Sequence, residues 1–310
     1  MEQFQIEEAV AELRTVSDMV RWAVSRFNQS EVYFGHGTDN PWDEAIVLMM
    51  FGLNLPLNRF SEISHTRITS SERRHFVELV KRRIDERIPA AYITNEGWFN
   101  GQPYYVDERV LVPRSPIGEL IEARFEPWLN GKEPKRILDL CTGSGCIGIA
   151  CAKEFGGAQV DLVDISVDAL AVAEINIQEH GVEEQVIPIQ SDLFSALTDQ
   201  KFDLIVSNPP YVDEQDLQLM PQEYDHEPDI GLASGIDGLD ITRQILNCAI
   251  NHLNTDGLLV VEVGNSESHL RQLFADVDFT WPTFERGGHG VFILTKAQLL
   301  QYQDTFSAAC

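Results

Sequence analysis

Apolar residues recur at helical spacing through residues 6–27, where Val10, Leu13, Val16, Val20 and Val24 are separated by charged positions. This pattern predicts one long amphipathic helix. Asn40-Pro41 then reads as a cap followed by a first-turn proline, opening a mostly apolar helix over 42–51 that Gly52 ends. Thr69-Ser70-Ser71-Glu72 has capping-box spacing ahead of a further helix over 75–88, and Pro89 closes the helical region. A small helical domain over 1–90 is the expectation.

The pattern changes at residues 98–106, WFNGQPYYV, which read as a hairpin around an Asn-Gly turn. The segment 91–115 is therefore expected to link two domains. Its aromatic residues suit either a lid over a ligand or the core of a packed ribbon, and sequence alone favours the core. Ser115-Pro116 resembles a cap and a first helical residue, predicting a helix through Trp128 that Gly131 ends. From Lys135 onward short apolar runs alternate with helical ones: RILDLCTGSG, a helix to Phe155, QVDLVDIS, a helix over 167–180, QVIPIQSDL and KFDLIVSNPPY. That alternation predicts a doubly wound α/β sheet over 116–310. Residues 213–237 are polar and turn-rich and are expected to form a long loop over the mouth of the site. A helix to Leu253, a strand over 257–264, a helix over 266–274 and a terminal strand pair over 280–285 and 290–295 complete the expected order.

Candidate chemistry concentrates in residues 201–212, KFDLIVSNPPYV. The run 202–206 reads as a buried parallel strand, and Pro209 and Pro210 must end it because neither donates to a ladder. Asn208 is thereby placed at the carboxyl end of a strand, where open α/β sheets bind ligands. An Asn-Pro-Pro-Tyr corner offers a carboxamide oxygen, backbone carbonyls and a flat ring, which suit a planar NH2 group. An amide nitrogen is a poor nucleophile, so an enzyme that methylates one must hold both hydrogens on acceptors and aim the lone pair. Asn208 and the Pro209 carbonyl are suited to that, with Tyr211 stacking on the planar group; the alternative is a plain strand-ending turn.

A second constellation runs through Asp139, Leu140, Cys141, Thr142, Gly143, Ser144 and Gly145, which follow a strand and open a helix. Small residues there let backbone amides approach a ligand at a helix N-terminus. The spacing GSGCIG also satisfies a dinucleotide fingerprint, but Asp139 and the Asn-Pro-Pro-Tyr corner fit a methionine-derived sulfonium cofactor better than a nicotinamide. Asp164 ends the next strand, where its carboxylate is placed to accept from two ribose hydroxyls. Asp192 is placed to accept from an adenine amino group while Leu193 packs the ring, or else Asp192 caps a turn.

The formal net charge of −26 over 310 residues disfavours nonspecific attraction to a phosphate backbone and favours a basic partner. The one dense basic cluster, Arg73, Arg74, Lys81, Arg82, Arg83 and Arg87, reads as a salt-bridged helix face because acids are interleaved and Glu78 lies four residues before Arg82. The five cysteines contain no Cys-x-x-Cys pair and are expected to be reduced and structural, with no metal site. The acidic N-terminus and the lack of a long apolar run lead us to expect a soluble cytoplasmic protein with no membrane contact.

These motifs together resemble the N5-glutamine protein methyltransferases, a class I S-adenosyl-L-methionine-dependent family with a seven-stranded sheet and a helical N-terminal domain. The matching residues are Phe99, Leu111-Val112-Pro113-Arg114, 139–145, Asp164, Ser191-Asp192-Leu193-Phe194, 208–211, Glu227-Pro228 and Asp237-Gly238-Leu239. The resemblance implies that Phe99, the glycine loop and Asp164 hold the cofactor, that Asn208, Pro209, Pro210 and Tyr211 hold a glutamine amide, and that the helical domain recognises substrate. Members acting on release factors usually continue the Pro-Arg with a proline and acids, whereas this chain has Ser115-Pro116-Ile117-Gly118-Glu119, and Leu193 stands where tryptophan is common. That departure looks like the branch acting on large-subunit ribosomal protein three, a basic substrate expected to be met before assembly. A release factor, or an amino group of a nucleic-acid base, is the alternative target; a base-modifying enzyme needs a basic groove, and none is evident, so no stable nucleic-acid binding is expected.

Overall fold

The computed structural model describes residues 3–309, and its contacts divide the chain into two compact units, residues 1–97 with 221–226 and residues 98–220 with 227–310. The first unit is helical: α1 (Gln3–Glu12), α2 (Val16–Ser30), α3 (Pro41–Gly52), α4 (Phe60–Ile63), α5 (Ser70–Asp85) and α6 (Ala90–Thr94). The single helix expected over 6–27 is two. Thr15 caps α2, its hydroxyl accepting from the Asp18 amide at 3.1 Å while the Asp18 carboxylate accepts from the Thr15 amide at 2.9 Å. Such a capping box starts a helix wherever it falls. The apolar periodicity survives the break because Val10, Val16, Val20 and Val24 all face one core with Leu48, Met49, Phe76 and Val80. Asn40 caps α3 and Thr69 caps α5 as expected.

The basic cluster of α5 is split between surface and interior. Lys81 pairs with Asp85 at 2.9 Å and Arg82 with Glu86 at 3.8 Å, not with Glu78. Arg73 and Arg83 turn inward: Arg73 donates to the Val10 and Ile68 carbonyls, and Arg83, 1% exposed, meets the buried carboxylates of Glu44 and Glu223. Glu223 comes from a 3-10 turn, Gln222–His226, so this part of the loop after the Asn-Pro-Pro-Tyr corner belongs to the helical unit.

The hairpin consists of β1 (Glu96–Phe99) and β2 (Gln102–Tyr105), joined by Asn100 and Gly101 at φ 48° and 68°, the left-handed pair that an Asn-Gly turn permits. Phe99 and Tyr104 are buried together as core, whereas Trp98 is exposed and Tyr105 half-buried. Next come α7 (Ile117–Glu122), β3 (Arg136–Leu140), α8 (Cys146–Glu154), β4 (Gln159–Asp164), α9 (Val167–His180), β5 (Val186–Gln190) and β6 (Phe202–Ser207). Helix α7 stops well before Trp128: Arg124 and Phe125 take left-handed backbone, and Pro127 has no amide with which to continue it.

After β6 the loop is less irregular than expected, holding α10 (Glu214–Leu219), capped by Asp213, besides its 3-10 turns. The chain leaves at Val212 and returns beside it, with Val212 N on Leu232 O at 2.8 Å and Ser234 N on Val212 O at 3.0 Å. Then follow α11 (Asp240–Cys248), β7 (Leu253–Glu262), α12 (Glu267–Leu273), β8 (Val291–Thr295), α13 (Lys296–Gln301) and α14 (Gln303–Ala308). The sheet order is β5-β4-β3-β6-β7-β8, parallel except for β8. It is the doubly wound sheet expected, with apolar clusters on both faces. Six strands form this sheet among the described residues. The seventh, expected over 280–285, shrinks to one bridge from Thr280 to Ile293 on the outer edge of β8, because Pro282 cannot donate to that ladder.

Candidate active site

Because β3 is followed outward by β4 and β5 before the chain crosses back to β6, the strand order reverses between β3 and β6. Open α/β sheets bind ligands in the crevice at such a switch point, outside the carboxyl ends of the strands. Leu140, the last residue of β3, lies level with Ser207, the last of β6, and the Ser207 hydroxyl donates to the Leu140 carbonyl at 2.8 Å. The glycine loop and the Asn-Pro-Pro-Tyr corner therefore leave the sheet side by side. Asp164 ends β4, Asp192 follows β5, and Glu262 ends β7, so the candidate residues form a row along one edge of the sheet.

The loop between β3 and α8 is held from three directions. Asp139 Oδ2 accepts from the Thr142 hydroxyl at 2.6 Å and the Gly148 amide at 2.9 Å, from beneath the loop in a fully buried position. Asp164 Oδ2 accepts from the Gly143 amide at 2.9 Å, and its Oδ1 from the Ser166 amide at 2.9 Å. Asn176, buried in α9, donates to the Ser144 carbonyl at 2.8 Å and exchanges hydrogen bonds with the backbone of Tyr105, tying the hairpin to the loop. Burial pushes the Asp139 carboxyl up to about 7, against the bonds from Thr142 and Gly148, and burial also raises that of Asp164. Each Asp164 oxygen takes one side-chain-to-backbone bond, which leaves acceptor capacity for ribose hydroxyls. Amides at the start of α8 with a carboxylate on the next strand fit an adenosyl group.

On the other side of the switch point Tyr211 is fixed at its hydroxyl, its ring and its backbone. The hydroxyl donates to Glu262 Oε1 at 3.0 Å, and the Tyr211 carbonyl accepts from the Ser266 hydroxyl at 2.7 Å. Gly264 lies against the ring so closely that a Cβ there would come within 2.5 Å of it, and a Cβ at Gly238 would come within 2.2 Å of the Tyr211 carbonyl. Those two positions need glycine for space. Asn208 is half-buried, and among the described residues no hydrogen bond engages its carboxamide. Pro209 is buried and Pro210 half-buried beside it. The corner therefore presents a rigid aromatic and an uncommitted carboxamide next to the glycine loop.

Other candidates sit differently. Phe99 is 5% exposed within the apolar cluster that contains Cys146 and Ile147, at the start of α8. Leu193 is buried with left-handed backbone, against the face of the sheet bearing Leu138 and Leu140, and Asp192 beside it is exposed, its carbonyl accepting from the Ser195 amide at 3.0 Å and its carboxylate in no hydrogen bond among the described residues. Cys141 is half-buried at the tip of β3, and burial raises its thiol far above the ordinary range. It and Cys146, Cys151 and Cys248 are free thiols; Cys310 lies outside the described residues. Sequence reasoning gave no role to Glu262, Ser266 or Asn176, and took Glu227 only as part of a matching motif. Two of them carried a signal, since Glu262 is an acid inside the apolar run LLVVEVG and Asn176 a polar residue on the buried face of α9.

No described helix is long and apolar enough to cross a membrane. The family described as Methyltransferase small domain matches residues 126–223. Among solved structures, a ribosomal protein L11 methylase from Lactobacillus delbrueckii subsp. bulgaricus is 24% identical over 57% of this chain and 74% of its own, with a TM-score of 0.39, too loose a likeness to bear on the site. Two proteins named ribosomal protein uL3 glutamine methyltransferase are far more similar. The one from Francisella tularensis is 46% identical over 97% of this chain and 96% of its own length, and the one from Neisseria meningitidis is 46% identical over 97% and 99%. Identity of that extent, spanning both the helical unit and the sheet, places the chain in the family of ribosomal protein uL3 glutamine methyltransferases, whose methyl donor is S-adenosylmethionine.

Proposed function

We propose that this protein methylates the side-chain amide nitrogen of one glutamine in ribosomal protein uL3, using the residues at the β3–β6 switch point. The observation that carries the reading is the pairing of Leu140 with Ser207, which sets the glycine loop beside the Asn-Pro-Pro-Tyr corner. S-adenosylmethionine supplies an electrophilic methyl group on a sulfonium. The loop 141–145 and the Asp164 carboxylate bind the nucleoside, Asp192 and Leu193 take the adenine, and Asp139 acts from within by shaping the loop. Phe99 closes the apolar wall behind the loop. The Asn208 carboxamide oxygen and the Pro209 carbonyl accept the two amide hydrogens, while Pro210 and Tyr211 fix the plane of the group. Holding both hydrogens directs the nitrogen lone pair, and that positioning is the main contribution asked of the protein.

The net charge of −26 suits a basic ribosomal protein met in the cytoplasm before assembly, because a glutamine packed against ribosomal RNA cannot extend into a strand-end pocket. The helical unit is assigned to recognition of that protein. Mass spectrometry of ribosomal proteins from cells with and without this gene is the test. One gain of ~14 Da on a glutamine of uL3 is expected. The same gain on a release factor instead, or none on either, would overturn the substrate assignment.

A further inference from the structure

The strand-end carboxylate of Glu262 is 4% exposed and belongs to none of the motifs that pointed to the site. Its position follows from the register: Val261 is level with Ser207 across β6 and β7, and Glu262 ends β7 one residue on, where the Asn-Pro-Pro-Tyr corner leaves β6. Both of its oxygens are engaged, Oε1 by the Tyr211 hydroxyl at 3.0 Å and Oε2 by the Ser115 hydroxyl at 2.5 Å. One carboxylate thus joins the Asn-Pro-Pro-Tyr corner to the segment after Arg114. Burying such a group costs several kcal/mol unless it is fully hydrogen-bonded, so a purely apolar side chain would be the cheaper way to fill this space.

We propose that Glu262 is a positioning residue for methyl transfer, holding the hydroxyls of Tyr211 and Ser115 on its two oxygens and so setting the plane against which the target amide lies beside Asn208. This rests on the reaction proposed above and adds the group that orients its aromatic wall. Tyr211 is also held at its ring by Gly264 and at its carbonyl by Ser266, and the hydroxyl is a further handle on the ring's tilt. A carboxylate accepts from the two hydroxyls on separate oxygens. An amide in its place offers one oxygen and one NH2, so one hydroxyl must turn to accept and its bond reverses.

The protonation state of Glu262 matters for the same reason. Burial raises its carboxyl to about 7, opposed by the hydrogen bonds from Ser115 and Tyr211 and by the positive charge of Arg114. A proton on either oxygen replaces an acceptor with a donor and breaks the symmetric grip. Turnover is therefore expected to fall as pH drops through neutrality.

The test compares wild type with Glu262→Gln, an isosteric change, and with Ser115→Ala. With tyrosine labelled at 13Cζ, and Tyr211 assigned by Tyr211→Phe, the Tyr211 resonance should titrate with a midpoint near 7 in the wild type and stay flat from about pH 5.5 to 8.5 in Glu262→Gln. Binding of S-adenosylhomocysteine should be unchanged in both variants, which reports that they are folded. Glu262→Gln should lower kcat about 10-fold with little change in KM and abolish the acid limb of the pH profile. Joined to Tyr211→Phe it should cost no more than Tyr211→Phe alone. A Tyr211 resonance that behaves identically in wild type and Glu262→Gln, or losses that add in the double variant, would overturn the proposal. A wild-type enzyme inert toward uL3 would instead overturn the substrate reading, since the resonance reads the Glu262–Tyr211 link without any substrate.

Discussion

Glu227 grips Arg114 with both carboxylate oxygens, Nη1 on Oε1 and Nη2 on Oε2 at 2.5 Å each, while Oε1 also accepts from the Val112 amide at 3.0 Å. The Val-Pro-Arg and Glu-Pro motifs, separated by more than a hundred residues, are thus each other's partners. The Glu227 side chain is fully buried, so the pair is worth most as a constraint: removing the cation strands a charge. Arg114→Met should destabilise the protein by ~3 kcal/mol, and Arg114→Lys should recover only part of that because a point charge cannot reproduce the two-pronged contact. Urea denaturation measures this; equal midpoints for all three proteins would show that the pair is solvated.

Asn208→Ala should leave cofactor affinity intact and cut single-turnover methyl transfer at least ~100-fold, because the lost acceptor orients the attacking nitrogen and touches no nucleotide. Among the described residues the half-buried carboxamide makes no hydrogen bond, so the variant is expected to stay folded. Near-wild-type transfer would reduce the corner to a strand-ending turn.

Asp164→Ala should weaken S-adenosylhomocysteine binding by ~1.5 to 3 kcal/mol, through loss of a charged acceptor. Part of the loss comes through the loop, since Asp164 also accepts from the Gly143 amide. Calorimetric titration decides: unchanged affinity in a folded variant removes Asp164 from the site.

Asp139 and Glu262 both have carboxyls raised to about 7 by burial. Between the ordinary carboxyl range near 4 and about 7 the folded protein therefore binds more protons than the unfolded chain, and the linkage relation makes stability fall as pH rises through that window. Above about 7 their contribution is flat. Denaturation midpoints measured from about pH 5 to 8 should show a steeper decline for wild type than for Asp139→Asn, whose side chain does not titrate. Parallel curves would show that Asp139 ionises normally in the fold.

Local chemistry was enough to place most of the sheet. Helix α9 over 167–180, the strand ending at Asp164, the Asn-Gly hairpin and the caps at Asn40 and Thr69 are all where short-range patterns put them, because alternation, proline and capping residues act within a few positions, whereas β3 runs on through Asp139 and Leu140, which were expected to follow it. The meeting of the proposed site's two segments was legible for the same reason, since a glycine loop after one strand and a proline corner after another emerge at carboxyl ends of a parallel sheet. Helix lengths were less legible. The break at Thr15 is hidden by a periodicity that two helices share when they pack on one core, and α7 ends early through backbone turns at Arg124 and Phe125 that no pattern marks.

What tertiary structure alone decided is which distant residues complete one another. The sequence shows six basic residues in and just after α5, and only packing tells that Arg73 and Arg83 are interior while Lys81 and Arg82 meet solvent. It shows Tyr211, Ser115 and Glu262 as separate letters, and only the register of β6 with β7 brings the last beside the first. The physical reason is range. Propensity and patterning are set by neighbours in the chain, whereas the partner of a buried charge is whichever group the closed sheet delivers within about 3 Å.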